Sequence, residues 1–162
     1  VTVTNKDFGE ELFSGLEFQR KIEEKAYELG NGLIPIQLFG DFKSKRKSTK
    51  LGEVIPNTMG EYQLSYLHDI YSKEITDSIE EGILFFDKKI KGFAREDAIL
   101  LGVESRTSSP IMIERDDNLE SNIKGIYPCG EGAGYAGGII SAALDGERVA
   151  EAAATYLKGI FK

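Results

Sequence analysis

Cysteine is nearly absent from this sequence. Cys129 stands alone, which excludes an internal disulfide framework and a cysteine-rich zinc site. A lone cysteine also fits a reducing compartment. No apolar run approaches ~18 residues, so no segment is expected to span a bilayer. The opening residues, VTVTNKDFGEELF, lack the basic and apolar regions of a secretory signal. They do not begin with Met, and the chain is expected to be a piece of something longer. Cations are in deficit as well: 20 Lys and Arg face 27 Asp and Glu, a net charge of −7. Coating nucleic acid or an anionic membrane needs a basic footprint. Neither is expected as a partner, and a cytoplasmic location is expected.

What is present is ordinary globular composition. Hydrophobic residues make up 41% and charged residues 29% of 162 residues. A chain of this length hides roughly 70% of its unfolded surface on folding.

Periodicity predicts three helices. Leu12, Leu16, Gln19, Ile22, Ala26 and Leu29 recur at helical spacing over residues 10–29, with Asp7 and Glu10 as a capping box and Gly30 as C-cap. Ile75, Ile79, Ile83, Phe86 and Ile90 form a stripe over 73–91 that reads as core. A last helix is predicted from 138 to about 158. Residues 34–39 (IPIQLF) read as a short strand or an apolar link. Segments 98–104, 110–116 and 122–129 read as β-strands. The expected architecture is α+β. Residues 1–95 form a mainly helical part, and residues 96–162 form strands followed by a long helix.

Few residues offer chemistry. His68 is the sole histidine, and its neighbour Asp69 points elsewhere if the segment is helical. It reads as structural or superficial, no metal site is read, and no catalytic residue is identified. The segment 42–50 (FKSKRKSTK) holds five basic residues. It reads as a solvated loop, because no aromatic beyond Phe42 is interleaved for base stacking. The acidic residues read as solvated helix faces.

The informative stretch runs from Gly125 to Leu157. Gly130, Gly132, Gly134, Gly137 and Gly138 follow an expected strand and open an expected helix. Residues 136–144 carry one polar side chain, Ser141, so that helix start is expected to be buried. No Ser, Thr, Asp or Asn stands at 135–138 to cap it. Such an end suits an acceptor-rich ligand. Gly132 to Gly137 matches G-x-G-x-x-G, yet the second strand and acidic residue of a dinucleotide-binding unit do not follow. The stretch is therefore not the opening of such a unit, though it is compatible with its closing piece.

These residues carry a resemblance. GVESRTSSPIMI and NLESNIKGIYPCGEGAGYAGGIISAALDGERVAEA resemble the C-terminal end of bacterial FAD-dependent, NAD(FAD)-utilising dehydrogenases of the two-dinucleotide-binding flavoprotein group. EFQRKIEEKAYELG, PIQLFGDF and FDKKIKGFA resemble the inserted, substrate- or cap-like domain of the same family. The resemblance implies that residues 96–162 end a FAD-binding domain and supply one wall of the flavin site. It implies FAD as cofactor, bound by Gly130, Glu131, Gly132, Gly137, Gly138 and Ile139. Glu131 would accept hydrogen bonds from the ribityl or pyrophosphate part. The helix start would favour negative charge on the reduced flavin. Partners so implied are FAD and a small-molecule substrate of unknown identity, with NAD(P)H left open. The N-terminal flavin-binding half that the family carries is missing. The isolated chain is therefore expected to be inactive and colourless, with its motif rearranged or its apolar surface covered by a second copy. Two rival readings stay open: a non-catalytic partner-binding module, and a phosphate-binding transferase or hydrolase. The latter lacks the P-loop Lys-Ser/Thr pair.

Overall fold

The computed structural model describes residues 1–160, and its architecture is α+β. Two compact units divide the chain: Val1–Asp7 with Phe18–Ser105, and Phe8–Glu17 with the residues from Arg106 onward.

The first unit is built on helix α2 (Ser14–Leu29), which continues into it from Phe18, and on a three-stranded sheet. Strand β1 (Ile34–Leu38) is central. It pairs in parallel with β2 (Tyr62–Leu64) and antiparallel with β3 (Ile99–Leu101). Two short segments follow the sheet strands: α3 (Phe39–Lys43), and a 3-10 turn at Leu67–Asp69. Helix α4 (Lys73–Asp87) completes the unit, capped by Ser72 Oγ accepting the Ile75 N–H. Ile22, Ala26, Phe39, Phe42, Leu67 and Ile70 form the core. Fully burying one such side chain contributes about 1.5–3 kcal/mol.

Helix boundaries moved for local reasons. Asp7 does not cap a helix at 10. It accepts the Thr4 N–H at 2.7 Å and closes the short α1 (Asn5–Phe8) instead. Helix α2 starts at Ser14, whose hydroxyl donates to the carbonyls of Gly9 and Glu11. Past its end, Asn31 and Gly32, rather than Gly30, take the left-handed conformation. Helix α4 stops at Asp87 because its carboxylate accepts the Gly92 and Ala94 N–H groups and turns the chain.

The basic segment is pinned rather than simply solvated. Ser48 is fully buried; its hydroxyl accepts the Leu38 N–H and donates to Asp41. The buried Gln37 side chain donates to the Arg46 carbonyl and accepts the Leu67 N–H. Arg46 pairs with Asp41 at 2.6 Å. Lys43, Lys45, Lys47 and Lys50 remain exposed.

The strand readings need the largest correction. Residues 98–104 yield only β3, and that strand joins the first unit's sheet. Residues 110–116 and 122–129 form no ladder. Their backbone bonds include Ile113 N–H to the Ala133 carbonyl and Ser121 N–H to the Ile126 carbonyl. Apolar alternation makes a segment able to pair, but a strand also needs a facing edge. No described segment supplies one here. Met112, Ile113, Ile123 and Ile126 are exposed. The second unit contains one long helix, α5 (Ile139–Ile160).

Candidate functional site

The glycine-rich segment of the second unit leaves a buried Pro128 and arrives at α5 through a compact turn. Two of its glycines are required by the turn itself. Gly130 has φ +68° and is buried. Gly134 has φ +86°, and a Cβ there would sit 2.8 Å from the Ile111 carbonyl oxygen. A side chain at either position would be strained. Bonds from Gly134 N–H to the Glu131 carbonyl and from Tyr135 N–H to the Gly130 carbonyl close the turn.

The other glycines have no such need. A Cβ at Gly132 would meet open space, one at Gly137 would lie 3.6 Å from Ser108 Oγ, and one at Gly138 would lie 3.4 Å from Ser141 Oγ. These are ordinary contacts or none, and all three residues are exposed. The exposed Glu131 carboxylate forms no hydrogen bond or ion pair with the described residues.

The start of α5 differs from expectation. It is not buried: Ile139 is 90% and Ile140 73% exposed, and Leu144 is exposed too. Apolar composition signals burial only when a partner surface is present, and the described residues supply none here. A partial cap exists within the helix. The Gly138 N–H donates to Ser141 Oγ at 3.2 Å, and that hydroxyl donates back to the Gly138 carbonyl. The N–H groups of Ile139 and Ile140 meet no acceptor among the described residues. A shallow hollow of about 300 Å³ is lined by Ser108 and Ser109 on one side and by Gly134, Tyr135, Ala136 and Gly137 on the other.

Sequence reasoning missed the centre of this arrangement. Arg115 and Asp145 form a two-pronged ion pair, with N–O distances of 3.0 and 2.6 Å. Their side chains are 8% and 10% exposed. Arg115 also donates to the Pro128 carbonyl at 2.9 Å, and Asp145 accepts the Gly130 N–H at 2.8 Å. The guanidinium lies 3.6 Å over the Tyr135 ring, whose hydroxyl donates to the Ile113 carbonyl. The Arg115 bonds, followed by the Gly130 N–H, pull the Asp145 carboxyl down to about 2. The available signal was positional. Asp145 precedes Val149 by one helical turn on the buried stripe of α5, where an acid requires a partner.

Two further chemically suggestive residues are His68, in the first unit, and Cys129, which precedes Gly130. His68 packs between Phe42 and Tyr66, with ring centroids 4.2 and 4.8 Å away. Burial, followed by nearby Lys45, holds its pKa below the usual histidine value. Asp69 is exposed. Cys129 is exposed and lies in no strand, although residues 122–129 read as one.

An α+β chain with a glycine-rich turn that leads into a free helix start is the class of structure defined so far. The sequence pattern of one family, described as FAD-dependent protein, C-terminal domain-like, matches residues 1–107, and the chain belongs to that family. The chain is also similar to a protein of Clostridium beijerinckii (strain ATCC 51743 / NCIMB 8052) described as "Uncharacterized protein". The two are 54% identical over 155 residues, covering 93% of this chain and 29% of the relative. The chain thus spans less than a third of that relative's length. No helix among the described residues is long and apolar enough to cross a membrane.

Proposed function

We propose that the chain is part of a FAD-dependent oxidoreductase, a dehydrogenase of the two-dinucleotide-binding group. The residues from Arg106 onward would be the closing segment of its FAD-binding domain and the unit that runs to Ser105 its inserted, substrate-facing domain, a boundary later than 95/96 because β3 pairs with β1. One observation carries the reading. Gly132 and Gly137 take no left-handed backbone and an added Cβ there would meet open space or an ordinary contact, yet with the N-cap Gly138 they precede an exposed helix start whose Ile139 and Ile140 N–H groups meet no acceptor among the described residues. Backbone left bare in this way allows a flat or anionic ligand to approach closely. Membership of a family described as FAD-dependent supports FAD as that ligand.

The residues present fit one wall of such a site. Gly137 and Ile139 would offer backbone N–H donors, Gly138, whose N–H is taken by Ser141 Oγ, would let the cofactor approach the backbone closely, and the Glu131 carboxylate would accept from sugar or ribityl hydroxyls. Gly130 would fix the turn, with Gly132 leaving room for the cofactor. Bound FAD would supply the electron-transfer chemistry, and these residues would bind and orient it. A hollow of about 300 Å³ stands at the lower limit of small-molecule sites. It is too small for a whole dinucleotide, which agrees with a wall rather than a complete pocket. The reading leaves the electron donor open, NAD(P)H included, and takes the cytoplasm as the location.

The experiment is to purify the full-length protein and the 162-residue chain side by side. Full-length protein should carry FAD near one per chain and show flavin absorbance, and the short chain should be colourless. Full-length protein that is colourless and fails to take up added FAD would remove the reading in favour of a partner-binding module. A short chain that holds stoichiometric FAD would remove the one-wall assignment.

A further inference from the structure

We propose that Arg115 and Asp145 are positioning residues for the cofactor, a clamp that sets the glycine-rich turn from behind. The proposal rests on the flavin reading above but concerns residues that would not touch the flavin. The pair occupies four polar groups at once. Asp145 takes the Gly130 N–H, Arg115 takes the Pro128 carbonyl, and each charge satisfies the other. Gly130 and Pro128 bracket Cys129 at the point where the chain enters the turn. Fixing both peptide groups fixes the direction in which Glu131 and Gly132 leave. The second hold is on Tyr135. Arg115 lies flat against its ring, and that ring lines the hollow beside Gly134 and Gly137. One guanidinium therefore controls the turn's entry and one side of the hollow.

A purely structural pair makes a different forecast. Replacing a buried ion pair by apolar residues of similar volume is often neutral or stabilising. The positioning role would be lost in that replacement, because the Gly130 N–H and Pro128 carbonyl would lose their charged partners. The test is the double variant Arg115→Met/Asp145→Leu in the full-length protein. FAD affinity is read by titrating the apoprotein, and apoprotein melting is read separately.

We expect apoprotein melting to fall modestly, because the Gly130 N–H and Pro128 carbonyl lose their partners, and FAD dissociation to rise roughly 10–100-fold, the range seen when partners one step removed from a ligand are lost at metal sites. Wild-type affinity in the double variant would overturn the clamp while leaving the flavin reading intact. Wild-type protein that binds no FAD would overturn both. Asp145→Asn gives a second route should the double variant fail to fold. Amide exchange should then quicken at Gly130, Gly134 and Tyr135 while the interior of α5 keeps its wild-type rates, with weaker FAD binding. Uniformly faster exchange along α5 would show a structural pair and overturn the proposal.

Discussion

In the first unit Ile36, Phe39, Phe42 and Ile70 are completely or almost completely buried, and the side chains of Gln37 and Ser48 among them are tied to backbone. In the second unit the buried apolar side chains are few, Pro128, Ala133 and Val149, while Met112, Ile113, Ile123, Ile139 and Ile140 face outward. Among the described residues, the buried pair of Arg115 and Asp145 ties the entry of the glycine-rich turn to α5. The lesson concerns what each unit needs. The first has a packed core, although Ile55, Met59, Phe85, Phe86 and Ile90 stay exposed. The second has little packed core, and Met112, Ile113, Ile139 and Ile140 are not covered by the described residues.

The largest expected effects test this division. Phe39→Ala should destabilise the first unit by about 3–5 kcal/mol, the cost of a cavity in a packed core. Asp145→Ala should cost about 3–5 kcal/mol in the second, because it leaves Arg115 buried without its partner. Amide exchange resolved along the chain checks whether each loss stays within its own unit. If Asp145→Ala proved harmless, the second unit would not depend on its ion pair.

A smaller effect comes from pH. The Asp145 carboxyl lies near 2 when folded, against an ordinary value of 3.8. A depressed carboxyl stabilises the fold above its ordinary value, and that stability is lost as pH falls through the folded one. The contribution is about 2 kcal/mol, at 1.36 kcal/mol per pH unit. Urea midpoints should therefore fall between about pH 4 and pH 2 more steeply in wild type than in Asp145→Asn. Parallel curves would show that other carboxylates govern acid unfolding.

Glu131 separates the turn's surface from the loops of the first unit. In full-length protein, Glu131→Ala should weaken FAD binding by about 1–3 kcal/mol, the scale of a lost charged hydrogen bond. Glu53→Ala should leave it unchanged. Flavin titration of the two apoproteins compares them directly, and equal effects would remove the role assigned to Glu131.

The same contrast explains what could be read from sequence. Helices α2, α4 and α5 were legible because their apolar stripes repeat at helical spacing, and IPIQL was legible as a short apolar run. Strand β2 was hidden in a turn-rich stretch, since three residues carry too little pattern. Residues 110–129 were misread because alternation belongs to a segment but a ladder belongs to two. The buried start of α5 failed for the same reason: Ile139 and Ile140 are apolar, but burial needs a second surface. Asp145 was lost among acids counted together as solvated, although its place on the Val149 stripe set it apart. The turn was legible as glycine-rich. Which glycines the fold itself requires was not, because that depends on Ile111 and Met112 approaching Gly134.

Gly138 gives the finest division between a residue the fold needs and one a ligand needs. It immediately precedes α5, and its carbonyl accepts the Ala142 N–H, so it is the N-cap. It is not among the residues with positive φ, and an added Cβ would lie 3.4 Å from Ser141 Oγ. Glycine is a better N-cap than alanine by a modest margin, so Gly138→Ala should cost the apoprotein about 1 kcal/mol or less. Valine adds bulk at an exposed position and restricts the backbone further. Its effect on apoprotein melting should be only slightly larger. If Gly138 is bare so that a flavin can approach, the two variants should separate sharply in FAD affinity. Alanine should weaken binding and valine should weaken it further, by roughly tenfold or more, equivalent to about 1.4 kcal/mol. The measurement pairs apoprotein melting with FAD titration for both variants of the full-length protein. Unchanged affinity in both would show that no flavin lies against this helix start.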